Sequence, residues 1–469
     1  MNKTNPIGCD TKIELDKIAE ILKTSPEALR VFENKYQALL SDELISENPF
    51  EINAKQMANF QKDCIINMPV VDAIVTRIVD ELLDNVPVWS YDGKNIKTIY
   101  ATEKKISNPV TNEDISILPK SLRPQCTGIL AQVDIKMESY EHLVDMWQRY
   151  KLEPSQKNKE MYYHLFRQGL DILDLDAITY EMLGTNPNTM GNWLPKIADS
   201  IITEGFFKIP KTTIIKVPLP ILQLTRLQYE TLTRTTLDIV DEFCQKIFGL
   251  DTSKDYFIKT GTFSSKYDFR NAHVSGEKEV KELGEYLLFI QNQATMMAGS
   301  LNGASIYGMS TTNEWVVREF IHDTENNPCI YKGLPLHTEY RVFVDFDTEE
   351  ILGISPYWRA DIMKQRFGHS SDYTSPHNIH DYAIYSVHEE TLNQRYFAHK
   401  DDITDHIREL IHDVDQLTGQ WSIDIMQNEN DFWLIDMALA KDSALNDCIP
   451  FGKLRFVEED WMPLLQSQI

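Results

Sequence analysis

The chain has 469 residues, of which 42% are apolar and 25% are charged, and its formal net charge is −25. This length predicts two or three domains, and the composition is that of a globular protein. Such an acidic balance argues against a general nucleic-acid-binding surface and against binding to an anionic membrane. A local basic pocket, which a nucleotide would need, is compatible with it.

The cysteines and the hydropathy of the chain indicate a cytosolic protein. Six cysteines are scattered without a CxxC pair, which is typical of reduced thiols rather than of disulfides or a zinc site. The first residues, MNKTNPIGCDTKIELDK, lack the apolar region of a signal peptide, and no window of about 18 apolar residues occurs. We therefore expect a cytoplasmic protein without a membrane segment.

The first part of the chain, residues 1–150, is predicted to be mainly helical. Apolar residues recur at helical spacing over residues 13–45 and again over residues 70–86, and a strand is expected over 97–100. The polar stretch 151–160 contains a proline and predicts a linker. Residues 151–254 then form a mixed α/β connecting region, with a strand over 212–217 and a helix over 227–250.

From residue 255 to the end at 469, strands and helices alternate. Strands are predicted over 255–261 and 314–321, hairpins over 339–358 and 421–445, and helices over 278–299 and 401–419. Antiparallel hairpins interleaved with helices predict an α+β (mixed α/β) fold rather than a doubly wound parallel sheet.

The segment FIKTGTFSSKYDFRN carries two lysines around a loop of small residues. A strand delivers Lys259, and Ser264 and Lys266 follow in the loop. Small residues let backbone N–H groups approach phosphate oxygens, and lysines neutralise their charge. The alternative is a plain surface turn between strands.

Two later strands carry charges among apolar residues. EWVVREFI holds Arg318 and Glu319, which predict either a strand facing a nucleotide or an edge strand with exposed charges. In EYRVFV, Arg341 shares one face with Glu339 by the period of two. Arg341 would reach a terminal phosphate, or it would form an ion pair with Glu339.

The hairpin WSIDIMQNENDFWLIDMALAKDSAL carries one acid in each arm. If its loop is the three residues 429–431, Asp424 and Asp436 lie opposite each other and share a face with Leu434 and Ala438. Like charges directly opposed destabilise a sheet, unless they share a cation. Magnesium favours carboxylates together with nucleotide phosphates. The alternative is a different register that leaves both acids in solvent.

The histidines show no HxH or HExxH spacing. Four of them fall in a polar, loop-like stretch and are predicted to be exposed loop residues rather than metal ligands: His369, His377, His380 and His388.

Taken in order, these segments resemble the ATP-grasp superfamily, and in particular its cell division cycle protein 123 type with the bacterial and phage relatives of that type. The corresponding segments here are KTGTFSSK, VVREFI, EYRVFV with ILGIS, and SIDIM with WLIDMA, within residues 256–445. The resemblance implies an ATP-grasp-like nucleotide-binding domain over 255–469 that uses ATP and Mg²⁺.

The resemblance also implies roles for single residues. Lys259, Ser264 and Lys266 would contact the ATP phosphates, Arg318 and Glu319 would lie on the nucleotide-facing strand, Arg341 would sit over the γ-phosphate, and Asp424 and Asp436 would hold magnesium. Lys266 and Arg341 would be the catalytic cations. The family usually has an asparagine where this chain has Ala438, so Asp442 or Ser443 would have to supply the further ligand.

Two functions follow from the resemblance. The first is an ATP- and Mg-dependent carboxylate–amine ligase that acts through an acylphosphate, converts ATP to ADP and phosphate, and acts on a small carboxylate or a protein acceptor. The second is a nucleotide-binding assembly factor for a partner protein, since the cell division cycle protein 123 family assists the assembly of a translation initiation factor. Neither function requires nucleic acid or a membrane.

Overall fold

The computed structural model describes residues 70–101, 108–118, 122–126, 137–162, 177–227, 229–300, 307–367 and 376–456. These residues form an α+β fold of antiparallel sheets and helices, which confirms the predicted fold class. The predicted helix over 13–45 lies outside the described residues.

One sheet has six antiparallel strands and is referred to as the first sheet. Its strands meet in the spatial order β2, β1, β4, β7, β5, β6. Their bounds are β1 (Pro87–Tyr91), β2 (Ile96–Tyr100), β4 (Thr212–Lys216), β5 (Tyr256–Thr260), β6 (His273–Val274) and β7 (Glu314–Glu319). The first sheet therefore draws strands from all three predicted regions of the chain, and the division at 150 and 254 stays a prediction.

The second sheet has five strands in the spatial order β11, β10, β12, β13, β3. All neighbours are antiparallel except the last pair, in which β3 runs parallel to β13. The bounds are β3 (Phe207–Lys208), β10 (Glu339–Asp345), β11 (Glu350–Pro356), β12 (Gln420–Asn428) and β13 (Asp431–Leu439). A separate small pair joins β8 (Cys329–Ile330) to β9 (Leu334–Pro335).

Helices cover the outer faces of both sheets. In the described part of the chain they are α1 (70–83), α2 (Asn112–Ser116), α3 (Met137–Leu152), α4 (156–162), α5 (Ala177–Leu183), α6 (Met190–Glu204), α7 (Leu219–Leu224), α8 (Arg234–Phe248), α9 (Gly276–Lys281), α10 (Leu283–Ser300), α11 (Ala360–Phe367) and α12 (Pro376–His412). Single 3-10 turns span Tyr229–Thr231, Lys266–Asn271, Ala440–Asp442 and Asn446–Cys448. None of the described helices has the length and apolar character needed to cross a membrane.

The alternation of apolar residues along each strand decides which face meets which core. On β7, Trp315 and Val317 pack with α1, α8 and α10, while Val316 faces the opposite core. That second core also contains Val342 and Ile423 from the second sheet, together with residues of α6 and α12. Lys259 pairs directly with Val316, and Arg318 follows Val316 by two positions on the same strand. Because side chains alternate along a strand, Lys259 and Arg318 therefore lie on the same face of the first sheet as Val316.

Two sequence predictions about helices are corrected by the structure. The stretch 151–160 is mostly helical, since only residues 153–155 separate α3 from α4, and the ring of Pro154 disfavours helix at the preceding residue. His377, His380 and His388 lie on α12, a 37-residue helix, and not in a loop. A proline at the first helical position starts that helix, which the sequence pattern did not reveal.

Candidate functional site

A cavity of about 140 Å³ lies between the two sheets. Seven of the eight predicted site residues line it: Lys259, Ser264, Lys266, Arg318, Glu319, Asp424 and Asp436. The eighth, Arg341, binds one of these acids directly. Residues that lie far apart in the sequence therefore converge on one place, and both sheets contribute to it.

The apolar part of the cavity is formed by aromatic and aliphatic side chains. These include Phe257 and Phe269, whose ring centroids lie 5.9 Å apart, together with Met426, Pro335 and Ile321. Mostly apolar walls with a few convergent polar groups are typical of small-molecule sites.

The acid hairpin pairs Asp424 directly with Asp436, as predicted, but through a different turn. The loop has two residues rather than three, because Asn428 already pairs with Asp431. The ladder then shifts by one residue, which leaves Ile435 as a bulge on β13. Leu434 consequently pairs with Ile425 in the core, so the expectation that it shares the acid face is wrong.

Arg341 neutralises the first acid from within the same sheet. It is the cross-strand partner of Asp424, and its Nε and Nη2 donate to the two carboxylate oxygens at 2.7 and 2.6 Å. Burial opposes the charge of the guanidinium, but Asp424 together with Asp436 and Glu339 outweighs burial, and the pKa of Arg341 is raised. The ion-pair alternative from the sequence is therefore realised with Asp424 and not with Glu339.

Lys259 neutralises the second acid from the opposite sheet. Its Nζ lies 3.0 Å from Oδ2 of Asp436, and its side chain is 2% exposed, against 39% for the acid. Burial lowers the pKa of Lys259, which Asp436 partly offsets. This ion pair joins β5 to β13 across the cavity.

Arg318 makes a second link between the sheets. Its Nε donates to Oγ1 of Thr212 at 3.2 Å, and its Nη1 donates to the carbonyl of Ile435 at 2.6 Å. The bulge at Ile435 makes that carbonyl accessible. Nη2 of Arg318 is buried without an acceptor among the described residues, and burial lowers the pKa of this arginine to about 10. The structure thus contains an unsatisfied buried donor on a residue that lines the cavity.

The loop after β5 is held by its own contacts. The amides of Thr262 and Phe263 donate to Oγ1 of Thr260, and the amide of Gly261 donates to the carbonyl of Glu314. These three amides are therefore engaged within the protein, and a backbone cradle formed by the rest of the loop stays a prediction. A Cβ on Gly261 would lie 2.1 Å from Oγ1 of Thr189, so only glycine fits this close approach.

Lys266 and Arg341 share one aromatic ring. Nζ of Lys266 lies 3.9 Å from the ring centroid of Tyr357, and Cζ of Arg341 lies 4.8 Å from it. Cations over aromatic faces are stabilised without losing their charge. Both cations thus lie beside the cavity and contact the same ring. Glu319 is held at the rim by Nζ of Lys211 at 2.7 Å.

Two titratable residues that line the cavity were not among the predicted site residues, Glu339 and His337. Glu339 is buried, and burial raises its pKa to about 7, while Lys266 works in the opposite direction. Its place on the Arg341 face of β10 was the signal that could have identified it. His337 is also buried, and burial lowers its pKa. Nothing in the sequence around His337 marks it.

The chain after β13 folds back over the acids. Nη1 of Arg341 donates to the carbonyl of Ala444 at 3.1 Å, and the hydroxyls of Ser422 and Ser443 lie 2.7 Å apart. Asn188 anchors the same segment, accepting from the amide of Leu439 at 2.7 Å and donating to Asp442 at 2.9 Å.

The described residues thus define an α+β protein in which the facing sides of two sheets enclose a charged cleft. No family model and no curated protein matches the chain. Solved structures that are similar to it include Cdc123 from Schizosaccharomyces pombe and a C-terminally truncated form of that protein. Both share 11% sequence identity with the chain, at TM-scores of 0.33 and 0.32. They cover 59% and 56% of this chain and 95% and 90% of their own. At TM-scores this low, the likeness carries no argument about activity or partners.

Proposed function

We propose that the cleft binds ATP together with Mg²⁺. The convergence of the predicted cations and of two opposed carboxylates on one cavity supports this proposal. The unsatisfied Nη2 of Arg318 is a buried donor that an acceptor on a ligand would satisfy, and such groups are costly when left alone.

In this proposal the ion pairs exchange partners when the ligand enters. Asp424 and Asp436 would hold Mg²⁺, which supplies positive charge to the phosphate oxygens. Lys259 would leave Asp436 for a phosphate, and Lys266 and Arg341 would lie against the phosphate tail. Arg318 and Glu319 would face the nucleoside. Because Lys259 joins the sheets, the small cavity would widen as this pair opens.

A binding experiment tests the proposal. Isothermal titration with ATP should show affinity that depends on Mg²⁺, and D424N should weaken it by about 100-fold through loss of a metal ligand. D431N is the matched control, since Asp431 belongs to the same hairpin but binds Lys208 instead of lining the cavity. Mg-independent ATP binding, or an affinity unchanged in D424N, would contradict the proposal.

For the use of the nucleotide, we propose nucleotide-dependent assembly of a partner protein. The sequence motifs resemble a family with that role, and the net charge of −25 is compatible with a basic partner. In this case the affinity for ATP changes when the partner binds, and no product forms without the partner.

Carboxylate–amine ligation is the second candidate, and the number of cations favours it. Lys259 and Arg341 bind the two acids, and Lys266 lies over the ring of Tyr357 that Arg341 also contacts. Phosphoryl transfer depends on such charge to stabilise its transition state. In a ligase, a substrate carboxylate attacks the γ-phosphorus and releases ADP, and an amine then displaces phosphate from the acylphosphate.

Product analysis separates the two uses. Release of ADP and phosphate that requires both a carboxylate and an amine supports ligation. Retention of ATP, with an affinity that changes on addition of a basic partner protein, supports assembly.

A further inference from the structure

The acid pair is followed on the same sheet face by a pair without charge. Ser422 lies two residues before Asp424 on β12, and Ala438 lies two residues after Asp436 on β13. Ser422 and Ala438 are cross-strand partners. Because side chains alternate along a strand, Ser422 and Ala438 face the same side as the acids. Mg²⁺ prefers six oxygen ligands, so two carboxylates leave most of its shell to other groups. The methyl group of Ala438 supplies none.

The space beside Ala438 contains two hydroxyl groups. Oγ of Ser443 lies 2.7 Å from Oγ of Ser422, and Ser422 is 1% exposed. The segment that carries Ser443 is fixed to the acid pair by the bond from Arg341 to the carbonyl of Ala444. The hydroxyl pair therefore lies on the sheet face that carries Asp424, since Ser422 stands two positions before it on β12.

The hydrogens of both hydroxyls have acceptors other than each other. Oγ of Ser443 lies 3.0 Å from the carbonyl of Leu439, and Oγ of Ser422 lies 3.3 Å from the carbonyl of Ala438. If Ser422 donates to Oγ of Ser443 and Ser443 donates to the carbonyl of Leu439, one lone pair of Oγ of Ser443 remains available to a cation. Serine and threonine hydroxyls are established ligands of nucleotide-bound Mg²⁺ in other proteins.

Asp442, the other acid in this segment, has its oxygens occupied. Asn188 donates to Oδ2 at 2.9 Å, and Nζ of Lys441 lies 3.0 Å from Oδ1. Asp442 fixes the segment that carries Ser443.

We propose that the hydroxyl pair of Ser422 and Ser443 completes the metal site, with Ser443 as a ligand of the cation and Ser422 as its hydrogen-bonded support. This inference rests on the proposed function, because it assigns a further ligand to the same Mg²⁺. The protein ligands of the cation are then two carboxylates and one hydroxyl, contributed by β12, β13 and the segment after β13.

The test measures metal binding directly. Mn²⁺ is titrated into the protein with a non-hydrolysable ATP analogue and followed by electron paramagnetic resonance. S443A should weaken Mn²⁺ binding about tenfold, and S422A should weaken it less. Combining S443A with A438N should recover most of the loss, since an amide oxygen then enters the vacated space.

Two matched variants control for packing and for the neighbouring acid. S355A removes a buried hydroxyl from the same sheet, on the far side of Arg341 from the acids, and should bind Mn²⁺ like the wild type. D442N should also retain Mn²⁺ binding. A loss in S355A equal to that in S443A, or a tenfold loss in D442N alone, would overturn the inference.

The inference and the proposed function fail in different ways. Wild-type Mn²⁺ binding in S443A and S422A, with loss of binding in D424N, overturns the hydroxyl ligand and leaves the proposed function standing. Wild-type Mn²⁺ binding in D424N overturns both.

Discussion

The two sheets hold their charges in different ways. In the second sheet, Arg341 and Asp424 are neighbours on adjacent strands and satisfy each other. In the first sheet, Lys259 and Arg318 are buried at 1% and 3% exposure, and both take partners from the second sheet. The charges of the second sheet are thus largely self-sufficient, whereas those of the first depend on the closed cleft. The two cations of the first sheet can therefore exchange their partners in the second sheet for an anionic ligand.

The largest expected effect comes from removing the partner of a buried cation. D436N leaves Lys259 without a partner in the interior, and we expect the free energy of unfolding to fall by about 3 kcal/mol. K259M should lower the free energy of unfolding less, by about 1 kcal/mol, because Asp436 is partly exposed and water can solvate it. Urea unfolding followed by tryptophan fluorescence measures both. Equal losses in the two variants would contradict the dependence of the first sheet on the second.

A pH effect compares one buried acid from each sheet. Burial raises the pKa of Glu314 in the first sheet and of Glu339 in the second from 4.5 to about 7. The folded state therefore holds protons that the unfolded state releases. The resulting stability is complete below pH 4.5 and is lost as the pH rises through about 7, on the order of 3 kcal/mol for each group.

The melting temperature measured from pH 4.5 to pH 8 tests this effect. E314Q and E339Q should each flatten the fall in stability. Only E339Q should also change ATP affinity, because Glu339 lines the cavity and Glu314 binds the amide of Gly191. An unchanged slope in both variants would show that neither acid is protonated in the folded protein.

The smallest effect is expected at the rim. Glu319 and Lys211 form an ion pair whose side chains are 35% and 48% exposed, and such pairs contribute little. E319Q should change the free energy of unfolding by about 0.5 kcal/mol. A thermal denaturation scan measures this. If E319Q lowered the free energy of unfolding more than K259M does, the rim and not the interior would hold the sheets together.

Strand patterns predicted much of the site. The alternation in SIDIM and WLIDMA predicted a hairpin with Asp424 opposite Asp436, and that pairing is observed. Local alternation suffices here because the partners are joined by a short turn. The strands that carry Lys259 and Arg318 were also predicted, since each is a short apolar run.

The remaining features depend on information that is not local. The polar turn did not distinguish a loop of two residues from one of three, so the bulge at Ile435 was missed. The ion pairs of the cleft join residues that are distant in the chain, such as Lys259 and Asp436 at a separation of 177 positions. No periodicity encodes such a pairing. The part of α12 before residue 401 was missed because its polar residues and histidines indicated a loop, although the buried Tyr385, Leu392 and Tyr396 follow helical spacing.

The short connection between β3 and β4 has a consequence for folding. Phe207–Lys208 belongs to the second sheet and Thr212–Lys216 to the first, so the chain passes from one sheet to the other within a few residues. The partner strand of β3 lies more than two hundred positions later. Contacts of such long separation form slowly, because the loops between them must close first. We therefore expect the cleft to be completed late, so that a ligand bound in it stabilises only chains that have folded from residue 207 to residue 439.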